Sequence, residues 1–216
     1  MATVENTPRM KTRPALDWKV LSQESSLLAA LPESARRLAR LLEIPQKAML
    51  FSRGDRPQAM FFVFSGEVRL VRGSRSGGEI VLQRTRHGFL AEASLDQPTY
   101  HCDATAAQTS RLLAIPRKAF VGALSVEDFR QRWITHLARE LRKVRVHTER
   151  LSLKTACERI VHFIETEGNQ GSIDLKCSKK DWAAELGLTH EALYRALAQM
   201  EKRGELKVDN SRLLLR

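Results

Sequence analysis

The chain has 216 residues, 28% charged and 43% hydrophobic, which suits one large or two modest domains and excludes a disordered or fibrous protein. No apolar run approaches the roughly 18 residues that span a bilayer and the first residues lack a signal-peptide core, so the expected compartment is the cytoplasm, with no membrane partner. The formal charge of +11 invites a nucleic-acid partner, but only 11 basic against 10 acidic residues fall in 154–216, so net charge alone carries no argument for DNA binding there.

Residues 1–16, with Pro8 and Pro14 and little periodicity, read as a flexible leader. Asp17 to Leu42 shows helical spacing in two pieces: Leu27, Leu28 and Leu31 precede Pro32, and Leu38, Leu41 and Leu42 follow it, so Pro32 starts the second helix or breaks the first. From Met49 the pattern changes. Gly54-Asp55, Gly66, Gly73 and Gly77-Gly78 punctuate short runs rich in Phe and Val, the clearest strands being Met60 to Phe64, Val68 to Val71, Glu79 to Leu82 and Arg111 to Ile115. The segment 17–124 therefore reads as an all-β sensor at its centre, a small barrel or sandwich.

Helical period returns after Ser125. Ile134, Leu137, Leu141, Val144 and Leu151 recur on steps of three and four, interrupted at Thr148, an a/d seam. One reading packs this helix on its own barrel; the other pairs it with a second copy. Arg132, Arg139, Arg142, Lys143, Arg145 and Arg150 at the remaining positions want solvent and favour the dimer. Segment 125–153 is thus a dimerisation helix, with a hinge expected at Leu151 to Thr155. Lys154 to Glu167 forms a further amphipathic helix with Ile160, Phe163 and Ile164 inward.

Ser178-Lys179-Lys180-Asp181 fits a capping box, so a helix starts at Lys179, with Trp182, Ala183 and Leu186 on its apolar face. Gly187 supplies the positive φ that leaves it, and Thr189 caps a second helix whose Leu193, Leu197 and Met200 face inward. The pair is a helix-turn-helix. The outward face presents His190, Glu191, Tyr194 and Arg195. Arg195 suits guanine O6 and N7, and Glu191 suits cytosine N4, while His190 is a weaker candidate base reader. Ser178, Lys179, Lys180, Thr189 and Tyr194 are candidates for the DNA backbone. Each has a plainer role: Glu191 complements the helix dipole and forms an ordinary ion pair with Arg195. Glu205 to Val208 and Arg212 to Leu215, joined at Asp209-Asn210, read as a wing hairpin.

Cys102, Cys157 and Cys177 show no zinc spacing, and no metal site is expected. No Ser/His/Asp order, HExxH, P-loop or dinucleotide fingerprint appears, so no catalytic residues are assigned and no enzyme is expected.

These motifs together resemble the cyclic-AMP-receptor/FNR superfamily of bacterial transcriptional regulators, from about Leu27 to Arg216. The carriers are Gly54-Asp55 through Phe62-Val63-Phe64-Ser65-Gly66-Glu67-Val68, Gly88-Phe89-Leu90-Ala91-Glu92-Ala93-Ser94-Leu95, and Glu191-Ala192-Leu193-Tyr194-Arg195. The resemblance implies an α+β fold: an N-terminal β-roll of the cyclic-nucleotide-binding type (a double-stranded β-helix), a long dimerisation helix and, over 154–216, a C-terminal winged helix-turn-helix. It implies a homodimer at Ile134, Leu137, Leu141 and Val144, an inverted-repeat operator on double-stranded DNA, and RNA polymerase as partner. It places the effector pocket at Glu92, Ala93, Ser94, Cys102 and Asp103. Where the family's cyclic-AMP binders carry Arg-Ser this chain has Cys102-Asp103, and an aspartate repels a phosphate, so cyclic AMP is not expected. An iron–sulfur cluster is not expected either, because no cysteine precedes Cys102. Haem on His87, His101 or Cys102, a thiol switch at Cys102, another small-molecule effector, or none all stay open. The alternative function is a ligand-binding module whose C-terminal helices dock a protein partner.

Overall fold

The structure, a computed structural model, describes residues 16–73 and 79–216. The expected leader, save Leu16, and the Gly77-Gly78 turn lie outside the described residues. Contacts divide the chain into two compact units, Met1–Thr135 and His136–Arg216.

Among the described residues the first unit begins with three short helices, α1 (Trp18–Glu24), α2 (Ser26–Ala30) and α3 (Glu33–Arg36). Asp17 accepts the amides of Lys19 and Val20, and Ser25 that of Leu27, so each of the first two starts on a side-chain cap. Eight strands follow: β1 (Arg40–Ile44), β2 (Met49–Phe51), β3 (Ala59–Ser65), β4 (Val68–Gly73), β5 (Glu79–Thr85), β6 (Gly88–Leu90), β7 (Asp103–Ala106) and β8 (Ser110–Pro116). They form two antiparallel sheets in the orders β1-β8-β3-β6 and β2-β7-β4-β5. Residues 117–123 form helix α4 (Arg117–Ala123).

The Phe-rich run of β3 is buried on both faces, which is why it reads as continuous rather than alternating. Phe61 and Val63 face the core between the sheets, with Val68, Leu70, Cys102 and Leu112. Met60 and Phe62 face a second core made with Leu27, Leu28, Phe120, Phe129 and Trp133. That second core anchors the start of the long helix α5 (Glu127–Ser152): the Trp133 ring lies 4.8 Å from Phe120 and 5.2 Å from Phe89.

The helical spacing placed Leu38, Leu41 and Leu42 on a helix after Pro32, but α3 ends at Arg36, and Leu41 and Leu42 lie in β1, opposite Leu113 and Leu112. The backbone edge of β8 takes these residues into a ladder, and pairing outweighs a helix of a single turn.

The second unit holds the rest of α5, then α6 (Ala156–Glu167), β9 (Ser172–Asp174), α7 (Lys179–Glu185), α8 (His190–Lys202), β10 (Leu206–Asp209) and β11 (Arg212–Leu215). α6 begins two residues later than its amphipathic pattern suggested, because Thr155 and Glu158 form a reciprocal capping box there. β10 and β11 form the expected hairpin, and β9 pairs with β11 as a third strand that the polar sequence 169–176 did not announce. The core joins Ile160, Phe163 and Ile164 to Trp182, Leu186, Leu193, Leu197 and Met200, closed by Leu206 and Leu213.

Candidate nucleic-acid interface

The helix pair is held by its own caps. Ser178 accepts the amide of Asp181 at 3.1 Å and donates its hydroxyl to the Asp181 carboxylate at 2.8 Å. The bond to Asp181 therefore runs through the hydroxyl, and Ser178 is committed inside the cap as well as being a backbone candidate. Gly187 has φ +64, and Leu188 donates its amide to the Ala183 carbonyl as the chain turns. Thr189 caps α8 on the amide of Ala192 at 3.2 Å.

With Leu193, Ala196, Leu197 and Met200 buried, α8 turns His190, Glu191, Tyr194 and Arg195 to solvent, together with Ala198 and Gln199, which sequence reasoning did not single out. Both Leu193 and Met200 are fully sequestered, so the roll of α8 about its axis is set by packing. Among the described residues no ion pair joins Glu191 to Arg195. Instead the Glu191 carboxyl sits below the usual carboxylate range, held chiefly by its own backbone amide and next by the Thr189 hydroxyl. An ionised carboxylate at this helix start is an acceptor only, which suits an exocyclic amine. Arg195 remains an exposed guanidinium one turn on.

Lys179, half-buried at the start of α7, places its ammonium 5.2 Å from the Tyr194 ring, and the His190 ring meets Tyr194 edge-on at 4.6 Å. Three candidates thus form one cluster across the two helices. Lys180 is exposed beside it.

The sensor candidates are more scattered. Ala91 adopts the left-handed conformation (φ 73, ψ 24) and leads into a 3-10 turn at Glu92–Ser94, in which Ala93 is exposed and Ser94 buried. Cys102 is 1% exposed in the inter-sheet core; burial pushes its thiol up, Arg72 opposing and Asp103 adding to the shift. The Asp103 carboxylate accepts the amide of Arg53 at 2.7 Å. A cavity of about 390 Å³ opens nearby, lined by Phe51, Phe61 and Tyr100 with Asp55, Arg56 and Gln58, and none of the five effector candidates lines it.

Two arginines outside the expected set organise the second unit. Arg150, 1% exposed, reaches from α5 to the Thr166 hydroxyl and the Glu167 carboxylate, both at 3.0 Å, with its guanidinium 4.6 Å from the Phe163 ring. The sequence reading placed it among solvent-seeking positions; packing against α6 buries it instead. Arg159 of α6 bonds four carbonyls of two other segments. Helical periodicity carries no signal for a side chain that reaches 28 residues along the chain.

Comparison with known proteins agrees with this organisation. The family described as "Cyclic nucleotide-binding domain" matches residues 41–126, and "Crp-like helix-turn-helix domain" matches residues 157–216. The chain is 29% identical over 172 residues to the Cyclic AMP receptor protein of Thermus thermophilus, across 76% of this chain and 78% of the relative. Its fold is similar to FixK2 from Bradyrhizobium japonicum, with a TM-score of 0.64, 22% identity, and coverage of 82% of this chain and 92% of the other. It is also similar to the c-di-GMP responsive global regulator CLP of Xanthomonas campestris, with a TM-score of 0.63, 20% identity, and coverage of 87% and 98%.

Proposed function

Because the chain belongs to the cyclic-AMP-receptor/FNR (Crp/Fnr) superfamily of transcriptional regulators, with a helix-turn-helix DNA-binding domain, we propose that it acts as a homodimer reading an inverted-repeat operator. Each α8 enters a major groove, where Glu191 and Arg195 read bases and His190 assists. Lys179, Lys180, Thr189 and Tyr194 position the helix on the phosphates. The observation that carries this reading is the outward face of α8, which gathers an ionised acceptor, an exposed guanidinium and the Lys179–Tyr194–His190 cluster on one side of a helix pinned by Leu193 and Met200. The match to a Crp-like helix-turn-helix domain favours DNA over a protein partner docked on these helices.

The second copy is the occupant proposed for the α5 seam. Ile134, Leu137, Leu141 and Val144 are 52%, 39%, 51% and 61% exposed, a row of apolar side chains along one helix that a coiled-coil partner buries. The regulator works in the cytoplasm with RNA polymerase as its partner, and it acts by binding rather than by catalysis.

Cyclic AMP does not fit the effector site. At the pair of positions where a phosphate clamp belongs stand a buried thiol and a carboxylate already bonded to the Arg53 amide, and a carboxylate repels the phosphate it would need to hold. The signal is another small molecule or the state of the chain itself.

Selection of random duplexes by the wild-type chain and by Arg195→Ala tests the reading. The wild type is expected to enrich inverted repeats whose half-sites are centred roughly 34–36 Å apart, one helical turn. Arg195→Ala should lose preference at the base pair it reads. Equal enrichment of the same sequences by both proteins refutes the docking.

A further inference from the structure

The guanidinium of Arg159 stands where two helix ends converge. Its Nε donates to the carbonyl of Leu153 at 3.0 Å and its Nη2 to that of Leu151 at 3.2 Å, at the end of α5. Its Nη1 donates to the carbonyls of Leu186 and Gly187, at 3.1 and 3.2 Å, in the turn of the helix-turn-helix. The last carbonyls of a helix have no partner within it and carry the negative end of its dipole, so a rigid, planar cation there is favourable on both counts. The two segments also approach each other directly: a Cβ built on Gly187 would lie 2.8 Å from Leu151 Cδ2.

We propose that Arg159 is a positioning residue for DNA recognition, fastening the recognition turn to the end of the long helix so that Leu186-Gly187 follows any displacement of Leu151-Leu153. The proposal rests on the reading of α8 as the DNA-reading helix. One planar group bonded to four carbonyls tolerates little relative sliding, because a shift of one pair breaks the geometry of the other. The segment 151–155, whose sequence suggests a hinge, is therefore where a change in α5 passes into the turn preceding α8. Lysine, a point charge with rotatable donors, does not hold two segments in register in this way.

The test uses the full-length chain, the duplex recovered by selection with the wild type, and a scrambled duplex of the same composition. Arg159→Ala is expected to lower affinity for the selected duplex at least about tenfold while affinity for the scrambled duplex stays unchanged. Arg159→Lys should fall between. Hydrogen exchange should rise together in 151–155 and 186–189 while Leu193 to Met200 keep their protection. A folded Arg159→Ala protein that keeps the wild-type ratio of selected to scrambled binding overturns the proposal, as does faster exchange confined to 151–155. If Arg159→Ala fails to fold, Arg159→Lys decides by the same ratio. If the wild type shows no sequence preference, the DNA-reading premise fails and the exchange pattern alone decides the coupling.

Discussion

Gly187→Ala isolates the physical demand of the recognition turn. At φ +64 the backbone lies in the left-handed region, which costs a residue bearing a Cβ roughly 1 kcal/mol. The new Cβ would also meet Leu151 Cδ2 at 2.8 Å and Arg159 Nη1 at 3.2 Å. Leu151 is 41% exposed, so its tip swings aside at a rotamer cost of about 0.5–1 kcal/mol. The sum is a destabilisation of about 2 kcal/mol, read as a lower urea midpoint with an unchanged slope, followed by circular dichroism. Asparagine tolerates left-handed backbone, so Gly187→Asn should lose about half as much. In a cycle with Leu151→Ala the contact contribution disappears, and the double variant should be more stable than the sum of the singles predicts. A change below about 0.5 kcal/mol for Gly187→Ala, the scale of an ordinary surface substitution, refutes both the turn geometry and the proximity of Leu151.

Ala91→Gly should be nearly neutral in the same assay, within about 0.5 kcal/mol, because relief of left-handed backbone at φ 73 offsets the lost buried methyl and the freer unfolded chain; a loss above about 1 kcal/mol refutes the left-handed placement. His147 is held below its ordinary value near 6.5, first by burial and then by the Arg150 charge. The unfolded chain takes up this proton before the folded one does, so the contribution of His147 is complete above pH 6.5 and declines as the pH falls below it; His147→Gln should flatten the acid side of the stability profile, and an unchanged profile refutes the assignment. Cys102, buried and with its thiol pushed up, should react with iodoacetamide far more slowly in the native chain than half-buried Cys157, as measured by peptide mass; equal rates refute the buried placement.

Much of the DNA-reading unit is legible in residue order because its determinants are local. A side-chain cap, a glycine that needs positive φ and apolar residues at i, i+4 and i+7 are each set within one or two helical turns, so Ser178, Gly187, Thr189 and the inward leucines define α7, the turn and α8 without distant contacts. Glu191 and Arg195 face outward for the same reason. The apolar row Ile134, Leu137, Leu141 and Val144 along α5 follows from heptad spacing, whereas its exposure depends on what the rest of the fold leaves uncovered.

Contacts between distant residues decided the rest. Leu41 and Leu42 carry helical spacing yet become strand, because their partners Leu113 and Leu112 lie some 70 residues away. β3 is buried on both faces, so its period cannot tell that Phe61 and Val63 serve one core while Met60 and Phe62 serve another. Arg150 reads in sequence as a solvent-seeking charge, and Arg159 gives no local signal at all; folding buries the first against Phe163 and places the second between the ends of α5 and α7. Local order specified α8, since its caps and periodicity are satisfied within a few residues. What that helix is fastened to emerges only when backbone carbonyls far apart in the chain are brought around one guanidinium.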